Sequence, residues 1–340
     1  MNILLTSVGR RTYLINYFKD ALDGIGLVYA ANSIMTYSLT QADKYTITPA
    51  IYDEGYIDYL LDYCDKHSIT AIISLFDIDL PILAANKHRF TDIGVEVIVS
   101  DLEVIDTCND KWKTYQFLKN IGLNQPQTYL NIDSVKREIS EGNLTFPVII
   151  KPRWGMGSIG VFEAEDIEEL DIYYKKLSRY IFETYLKYES QADVSSCIII
   201  QEKIQGVEYG LDIFNDFNSR NVAVIPKEKV AMRAGETDIA RITYRADLID
   251  IGIKLAETLK HQCNLDVDCF IAEDNEIYVL EMNCRFGGQY PFSHVAGANF
   301  PRQIVRWLLG ESTDINLVSA KDGVTACKEL LPVIIDSISS

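Results

Sequence analysis

Apolar and polar residues along the first hundred positions alternate between short β-like runs and helical stripes. Ile3 to Thr6 reads as a strand, and residues 10–22 carry Tyr13, Leu14, Tyr17, Phe18 and Leu22 at helical spacing. A strand is predicted at 27–31, a helix at 56–67, and strands at 71–75 and 95–99. Strands interleaved with helices predict a parallel sheet with Rossmann-like winding, whose ligands bind beyond the carboxyl ends of the strands. Ser7-Val8-Gly9-Arg10-Arg11 occupies one such end, and Asp77 and Asp79 another. No GxGxxG follows the first strand, so dinucleotide binding has no support. Gly9 with two arginines reads equally as an anion-holding helix N-terminus or as a glycine turn with solvated arginines.

The character then changes. A boundary is expected near 101–108, followed by a helix over 110–120. Residues 147–152 form an apolar strand ending on Lys151, and 153–161 form a glycine-rich loop. A helix is predicted at 166–185, strands at 197–200, 207–214 and 221–230, and helices at 247–261 and 300–309. One more short element is expected within 324–331.

Between the last two helices lies a hairpin. Residues 265–273 and 276–283 alternate in character around Asp274-Asn275, a pair suited to a two-residue turn. That turn makes the numbers of opposed partners sum to about 549, by the period-2 geometry of paired strands. Asp268 then faces Glu281 and Asp266 faces Asn283, all four on one face. Val267, Cys269, Ile271, Tyr278, Leu280 and Met282 take the other, core face. Like charges placed opposite each other destabilise a sheet unless a cation lies between them. Oxygen ligands of this kind suit Mg²⁺ or Mn²⁺. A solvated hairpin face is the alternative.

Bulk properties narrow the partners. The 340 residues are 48% apolar, enough for two or three domains with real cores. A net charge of −17 argues against general binding to nucleic acid or to an anionic membrane. Seven scattered cysteines without a CxxC pair read as reduced core thiols. No run approaches the ~18 apolar residues of a membrane span. The first residues read as a strand rather than a leader, so a cytoplasmic location is expected.

Several residues invite chemistry. Lys151, buried at a strand end, needs an anion, and Gly155-x-Gly157-Ser158-x-Gly160 follows it directly. The loop is not a Walker A motif and taken alone reads also as a plain turn. Gln201-Glu202-Lys203-Ile204 leaves another buried strand, a place where backbone groups can read adenine, and Glu208 lies within reach of ribose hydroxyls. A charged strand edge is the alternative. Lys111 by itself reads as an exposed lysine. Arg233, Arg241 and Arg245 either bind an anionic substrate or pair with the acidic surface. Asp77 and Asp79 are candidates to face an amine, and His294 either touches substrate or packs.

Asn109-Asp110-Lys111, Lys151-Pro152 with residues 155–160, residues 201–209, and Glu281-Met282-Asn283-Cys284-Arg285-Phe286-Gly287-Gly288 occur in one order. That order resembles the ATP-grasp superfamily over residues 1–310, most closely stand-alone proteins similar to one ATP-grasp unit of the carbamoyl phosphate synthase large chain. The last stretch looks like its Glu-x-Asn-Pro-Arg segment, with Cys284 where proline is usual. The resemblance implies an N-terminal Rossmann-like parallel-sheet domain (1–108) and a two-lobed ATP-grasp domain (109–312). That domain divides into a small lobe (109–200) with the glycine-rich loop and a lobe (201–312) with the Mg²⁺ site. A tail (313–340) has no implied role.

The resemblance further implies ATP and Mg²⁺ as cofactors, Mn²⁺ being an alternative. Lys111 and Lys151 would hold α- and β-phosphates, and Gly155, Gly157, Ser158 and Gly160 would cover the β- and γ-phosphates. Glu202, Ile204 and Lys203 would sit at adenine, and Glu208 at ribose. Asp268, Glu281 and Asn283 would hold Mg²⁺. Arg285 would steady the substrate carboxylate and the transferring phosphoryl group. The implied activity is ATP-dependent carboxylate–amine ligation through an acyl phosphate, joining a small carboxylic acid to an amine with release of ADP and phosphate. The alternatives are carbamoyl phosphate synthase-like phosphorylation of bicarbonate or carbamate, and non-catalytic ATP binding. A homodimer is expected on base rate alone.

Overall fold

The structure is a computed structural model describing residues 1–334; the last six residues of the expected tail lie outside the described residues. The N-terminal sheet is five-stranded and parallel. Its spatial order is Lys44–Ile47, Leu27–Asn32, Asn2–Thr6, Ala71–Ser74, Glu96–Val97. Ile3, Leu4, Leu5, Ile72 and Ile73 are buried, as fits strands covered on both faces by helices. The helix Tyr56–His67 falls on the predicted residues, whereas the predicted strand 95–99 pairs only at Glu96–Val97.

Two antiparallel sheets follow. The smaller holds Thr128–Tyr129, Ile198–Glu202, Val148–Pro152 and Phe162–Ala164 in that order. The helix Ile167–Glu183 packs on it through Leu170, Leu177 and Ile181, all fully buried. Asp166 caps that helix by accepting from the Glu169 amide at 2.9 Å, and the Glu169 carboxylate accepts from the Glu165 amide at 2.8 Å. Each such apolar side chain contributes roughly 1.5–3 kcal/mol by burial. This lobe has a hydrophobic core of its own.

The larger sheet runs Ile277–Asn283, Cys263–Ala272, Gly206–Asn215, Asn221–Arg233, Glu236–Ile242, Thr325–Cys327. Its last strand lies within the short element expected at 324–331 and pairs Ile239 with Cys327. One core cluster joins Leu4 and Ile72 of the parallel sheet to Leu211, Val267 and Met282 of the large one, with Cys108 and Cys284 among them. The parallel sheet and the large sheet are therefore packed through shared apolar contacts. Six of the seven cysteines are buried thiols. Among the described residues, no helix is long and apolar enough to cross a membrane.

The carboxylate hairpin differs from expectation in an instructive way. Its turn has three residues, not two: the Ala272 amide donates to the Glu276 carbonyl at 2.9 Å, and Asn275 adopts a left-handed φ of 65°. Ile271 therefore pairs with Ile277 and Cys269 with Val279, one step off the predicted register. A bulge at Leu280 restores the register, so Asp268 does face Glu281 and Asp266 does face Asn283. Ile277 and Val279 occupy the core in place of the expected Tyr278 and Leu280. Leu280 turns instead to the face that carries Glu281.

Candidate functional site

Between the lobes lies a cavity of about 450 Å³. On the small-lobe side, Lys151 ends the strand Val148–Pro152 and is 6% exposed. Lys111 opens the helix Lys111–Asn120, whose cap Asp110 accepts from the Trp112 amide at 2.9 Å. Both Asp110 oxygens also accept from Arg153 at 2.7 Å, tying that helix start to the chain just past Lys151. The two lysines are thereby carried to one wall. Lys111 is not an exposed lysine: its side chain is 11% exposed, its ammonium donates to the Gly155 carbonyl, and Glu281 lies 3.8 Å away.

The glycine-rich loop closes the cavity from above through Gly155, Gly157 and Ser158. Gly157 and Ser158 both have positive φ, 62° and 58°. Ser158 rests against Gly235, in the turn between the strands Asn221–Arg233 and Glu236–Ile242. Gly160 lies outside the lining, packed against Leu177 and Pro152. Glu202, Lys203 and Ile204 line one end beside the apolar Ile149 and Pro126. Lys203 pairs with Glu163 at 2.5 Å, and a Glu202 oxygen accepts from the Gln127 amide at 3.2 Å.

The floor is the large sheet: Glu208, Lys229, Asp268, Phe270, Leu280 and Glu281. Lys229 was not anticipated. It bridges Glu208 at 2.6 Å and Asp268 at 2.7 Å with a side chain 4% exposed. Burial pushes the Asp268 carboxyl up to about 7, with Lys229 opposing and Asp266 and Glu281 adding to the rise. Burial acts the same way on Glu281, but the summed attraction of Lys111, Lys151, Lys229 and Arg285 outweighs it and holds that carboxyl low. Burial brings the Lys151 ammonium down to about 8 against the pull of Glu281.

Asn283, the last residue of the strand Ile277–Asn283, and Arg285, two residues further on, lie outside the cavity lining. Arg285 donates to Asp77 at 3.1 Å and to Asp266 at 2.9 Å, joining the N-terminal sheet to the large one. The Gln289 amide donates to Asp266 at 2.5 Å and to Asp268 at 3.1 Å, so it sets the spacing of the two carboxylates. Lys229, Asp266 as an arginine partner, and Gln289 are the functional candidates that pattern reading did not single out. Gly287 makes room here, since a Cβ on it would fall inside the Asp266 carboxylate. Gly287→Ala is expected to cost ~1–3 kcal/mol through that clash and to lower turnover with it. An unchanged melting temperature would remove Asp266 packing from the account.

Other candidates resolve to structure. Asp79 is fully buried and accepts hydroxyls from Thr6, Ser7, Ser74 and Tyr56, so it does not face a ligand. His294 stacks on Tyr17 at 3.5 Å, a packing role. Arg233, Arg241 and Arg245 each hold a carboxylate: Asp238, Glu228 and Asp247.

Among the described residues no group of three or more His, Cys, Asp or Glu side chains is placed to hold a metal ion alone. The facing pair Asp268 and Glu281 is nevertheless a fitting half-set for Mg²⁺, which keeps waters and phosphate oxygens as its other ligands.

The chain is similar to known proteins along most of its length. Residues 3–98 match the family model described as the PylC-like N-terminal domain, and residues 108–289 match the ATP-grasp domain. Biotin carboxylase of Campylobacter jejuni, solved as a β-γ-ATP complex, superposes with a TM-score of 0.72 at 15% identity, over 94% of this chain and 73% of that one. The biotin carboxylase domain dimer of the Hydrogenobacter thermophilus 2-oxoglutarate carboxylase, solved with MgADP and bicarbonate, gives 0.72 at 15%, over 92% and 70%. The L-amino acid ligase of Bacillus licheniformis gives 0.66 at 17%, over 91% and 74%. At such identities these structures speak for the fold, while the ATP-grasp match spans more than half of the residues. The chain belongs to the ATP-grasp family.

Proposed function

We propose that the protein is an ATP-dependent carboxylate–amine ligase using Mg²⁺. The observation that carries this reading is the cavity itself, with Lys111 and Lys151 on one wall, Asp268 and Glu281 on the floor, and a glycine-rich loop above. The two lysines take α- and β-phosphate oxygens, and the amides around Gly155, Gly157 and Ser158 cover the β- and γ-phosphates. Glu202, Lys203 and Ile204 meet the base in the apolar end, and Glu208 the ribose. Asp268, Glu281 and Asn283 would hold Mg²⁺, which would neutralise charge on the phosphoryl oxygens. Arg285 orients the acid from its seat between Asp77 and Asp266.

In the first step an acid oxygen attacks the γ-phosphorus, the bridging P–O bond breaks, and ADP leaves. In the second an amine nitrogen attacks the acyl carbon, phosphate leaves, and the amine proton passes to solvent. Both steps develop charge on oxygens, so placed cations suffice and no covalent nucleophile of the chain takes part. Bicarbonate as the acid is the second reading, favoured by the bicarbonate bound in the Hydrogenobacter domain of the same fold.

Hydroxylamine trapping tests both. The protein with ATP, Mg²⁺ and pooled carboxylic acids is expected to form a hydroxamate and ADP in equal amounts. ADP formation that depends on bicarbonate and gives no hydroxamate selects the second reading. AMP and pyrophosphate as products, or no turnover with any acid, would sink the acyl-phosphate mechanism.

A further inference from the structure

Lys229 is the cavity cation whose place is hardest to explain by packing. Its ammonium lies 2.6 Å from Glu208 and 2.7 Å from Asp268 Oδ1. The Gln289 amide donates to that same Asp268 oxygen at 3.1 Å. One oxygen of the Asp268 carboxylate therefore already holds a full charge and a dipole. Four lysines line the cavity, Lys111, Lys151, Lys203 and Lys229, and so do four carboxylates, Glu202, Glu208, Asp268 and Glu281. The positive groups balance the negative ones. A divalent ion entering alone would find no surplus negative charge, and it would have to expel an ammonium held between two carboxylates. A triphosphate brings the missing negative charge with it.

We propose that Lys229 is a built-in counter-cation that keeps Asp268 closed to metal until nucleotide phosphates draw its ammonium away. The inference rests on reading this cavity as a Mg²⁺-nucleotide site. Lys229 is a positioning residue acting through Asp268 and Glu208. The lysine stem permits the exchange: four carbons carry a point charge that can swing while the backbone stays in the strand Asn221–Arg233. Lys227, two residues earlier, shows the contrast. It is fully buried, held by Asp212 at 2.6 Å, and lies outside the cavity lining. Asp212 is its ion-pair partner among the described residues, whereas Lys229 lines the space that the phosphates would fill.

The arrangement implies an order of events. Nucleotide and metal enter together, and free Mg²⁺ does not load the site in advance. Mn²⁺ titrated into the full-length chain without nucleotide, with the free ion read by electron paramagnetic resonance, tests this. Wild type is expected to bind Mn²⁺ weakly, and Lys229→Met to bind it about tenfold tighter or more. Lys229→Arg keeps the block, and adding Asp268→Asn to Lys229→Met removes the gained site. Calorimetry with Mg²⁺-ATP is expected to move in the opposite sense, Lys229→Met binding it more weakly than wild type. General damage to the fold would weaken both. Equal nucleotide-free Mn²⁺ affinity in wild type and Lys229→Met overturns the proposal, and Lys229→Gln serves as the comparison if the methionine variant does not fold. Failure of wild type to bind Mg²⁺-ATP would sink the nucleotide reading instead, while the metal-only titration would still decide the role of Lys229 toward Asp268.

Discussion

Lys151→Met is expected to lower acid-dependent ADP formation by ~10²–10³-fold, the scale of removing a placed charge donor from a dry site, while the nucleotide-free protein melts no lower than wild type. The two outcomes have one cause. Burial brings the Lys151 ammonium from its ordinary 10.5 down to about 8. Holding it protonated in the folded chain therefore disfavours folding by about 3 kcal/mol at neutral pH. Glu281 loses part of its attraction in the variant but keeps Lys111 at 3.8 Å, which offsets some of the gain.

The sign with pH follows from linkage. Between about 8 and 10.5 the unfolded chain binds the Lys151 proton and the folded chain does not. The contribution of this residue to stability thus rises as pH climbs through that window. Below it the penalty is present in full. Lys151→Met removes that rise, so the gap between variant and wild type narrows toward high pH. Thermal melts at neutral and alkaline pH, with an ADP assay, check this. A variant that melts well below wild type at neutral pH, or that keeps its turnover, contradicts the argument.

Arg285 should behave in the opposite way. Its side chain is 10% exposed, and those of its partners Asp77 and Asp266 are 5% and 9% exposed. Arg285→Leu leaves two buried carboxylates facing each other without a cation, and removing one partner from such a group costs roughly 3–5 kcal/mol. Turnover falls as well, because the acid loses its guide. Arg285→Lys recovers little, since a point charge cannot serve both carboxylates as the planar fork does. Adding Asp77→Asn to Arg285→Leu should restore part of the stability but none of the turnover. Denaturant titrations of the single and double variants measure this. A loss below ~1 kcal/mol would mean that this group is no stronger than an ordinary exposed ion pair.

The alternation of strand and helix was readable because its period is local, and the helix Tyr56–His67 emerged residue for residue. The strands Lys44–Ile47 and Glu236–Ile242 were not anticipated. Their apolar residues are few and interrupted by polar ones, and the first lies at the edge of its sheet. Lys151, Asp268 and Glu281 were legible because a charged side chain in an apolar strand conflicts with burial, and that conflict is visible in the chain itself. The bond from Arg285 to Asp77 spans 208 positions, a separation at which no local pattern carries a signal. Lys229 shares its strand with Lys227, and only the strands on either side distinguish the charge that can leave from the one that cannot. Tyr278 and Leu280 were assigned to the wrong face because a single bulge inverts everything between it and the turn.

That bulge and the three-residue turn are two irregularities of opposite effect, and the distance between them is a short stretch of inverted pairing. Shortening the loop by one residue, or smoothing the strand at Leu280, would each alone slide Glu281 out from opposite Asp268. Lineages of this hairpin can therefore gain or lose a loop residue only together with the kink. Transplanting the acidic pair into another scaffold requires both defects to travel as a unit.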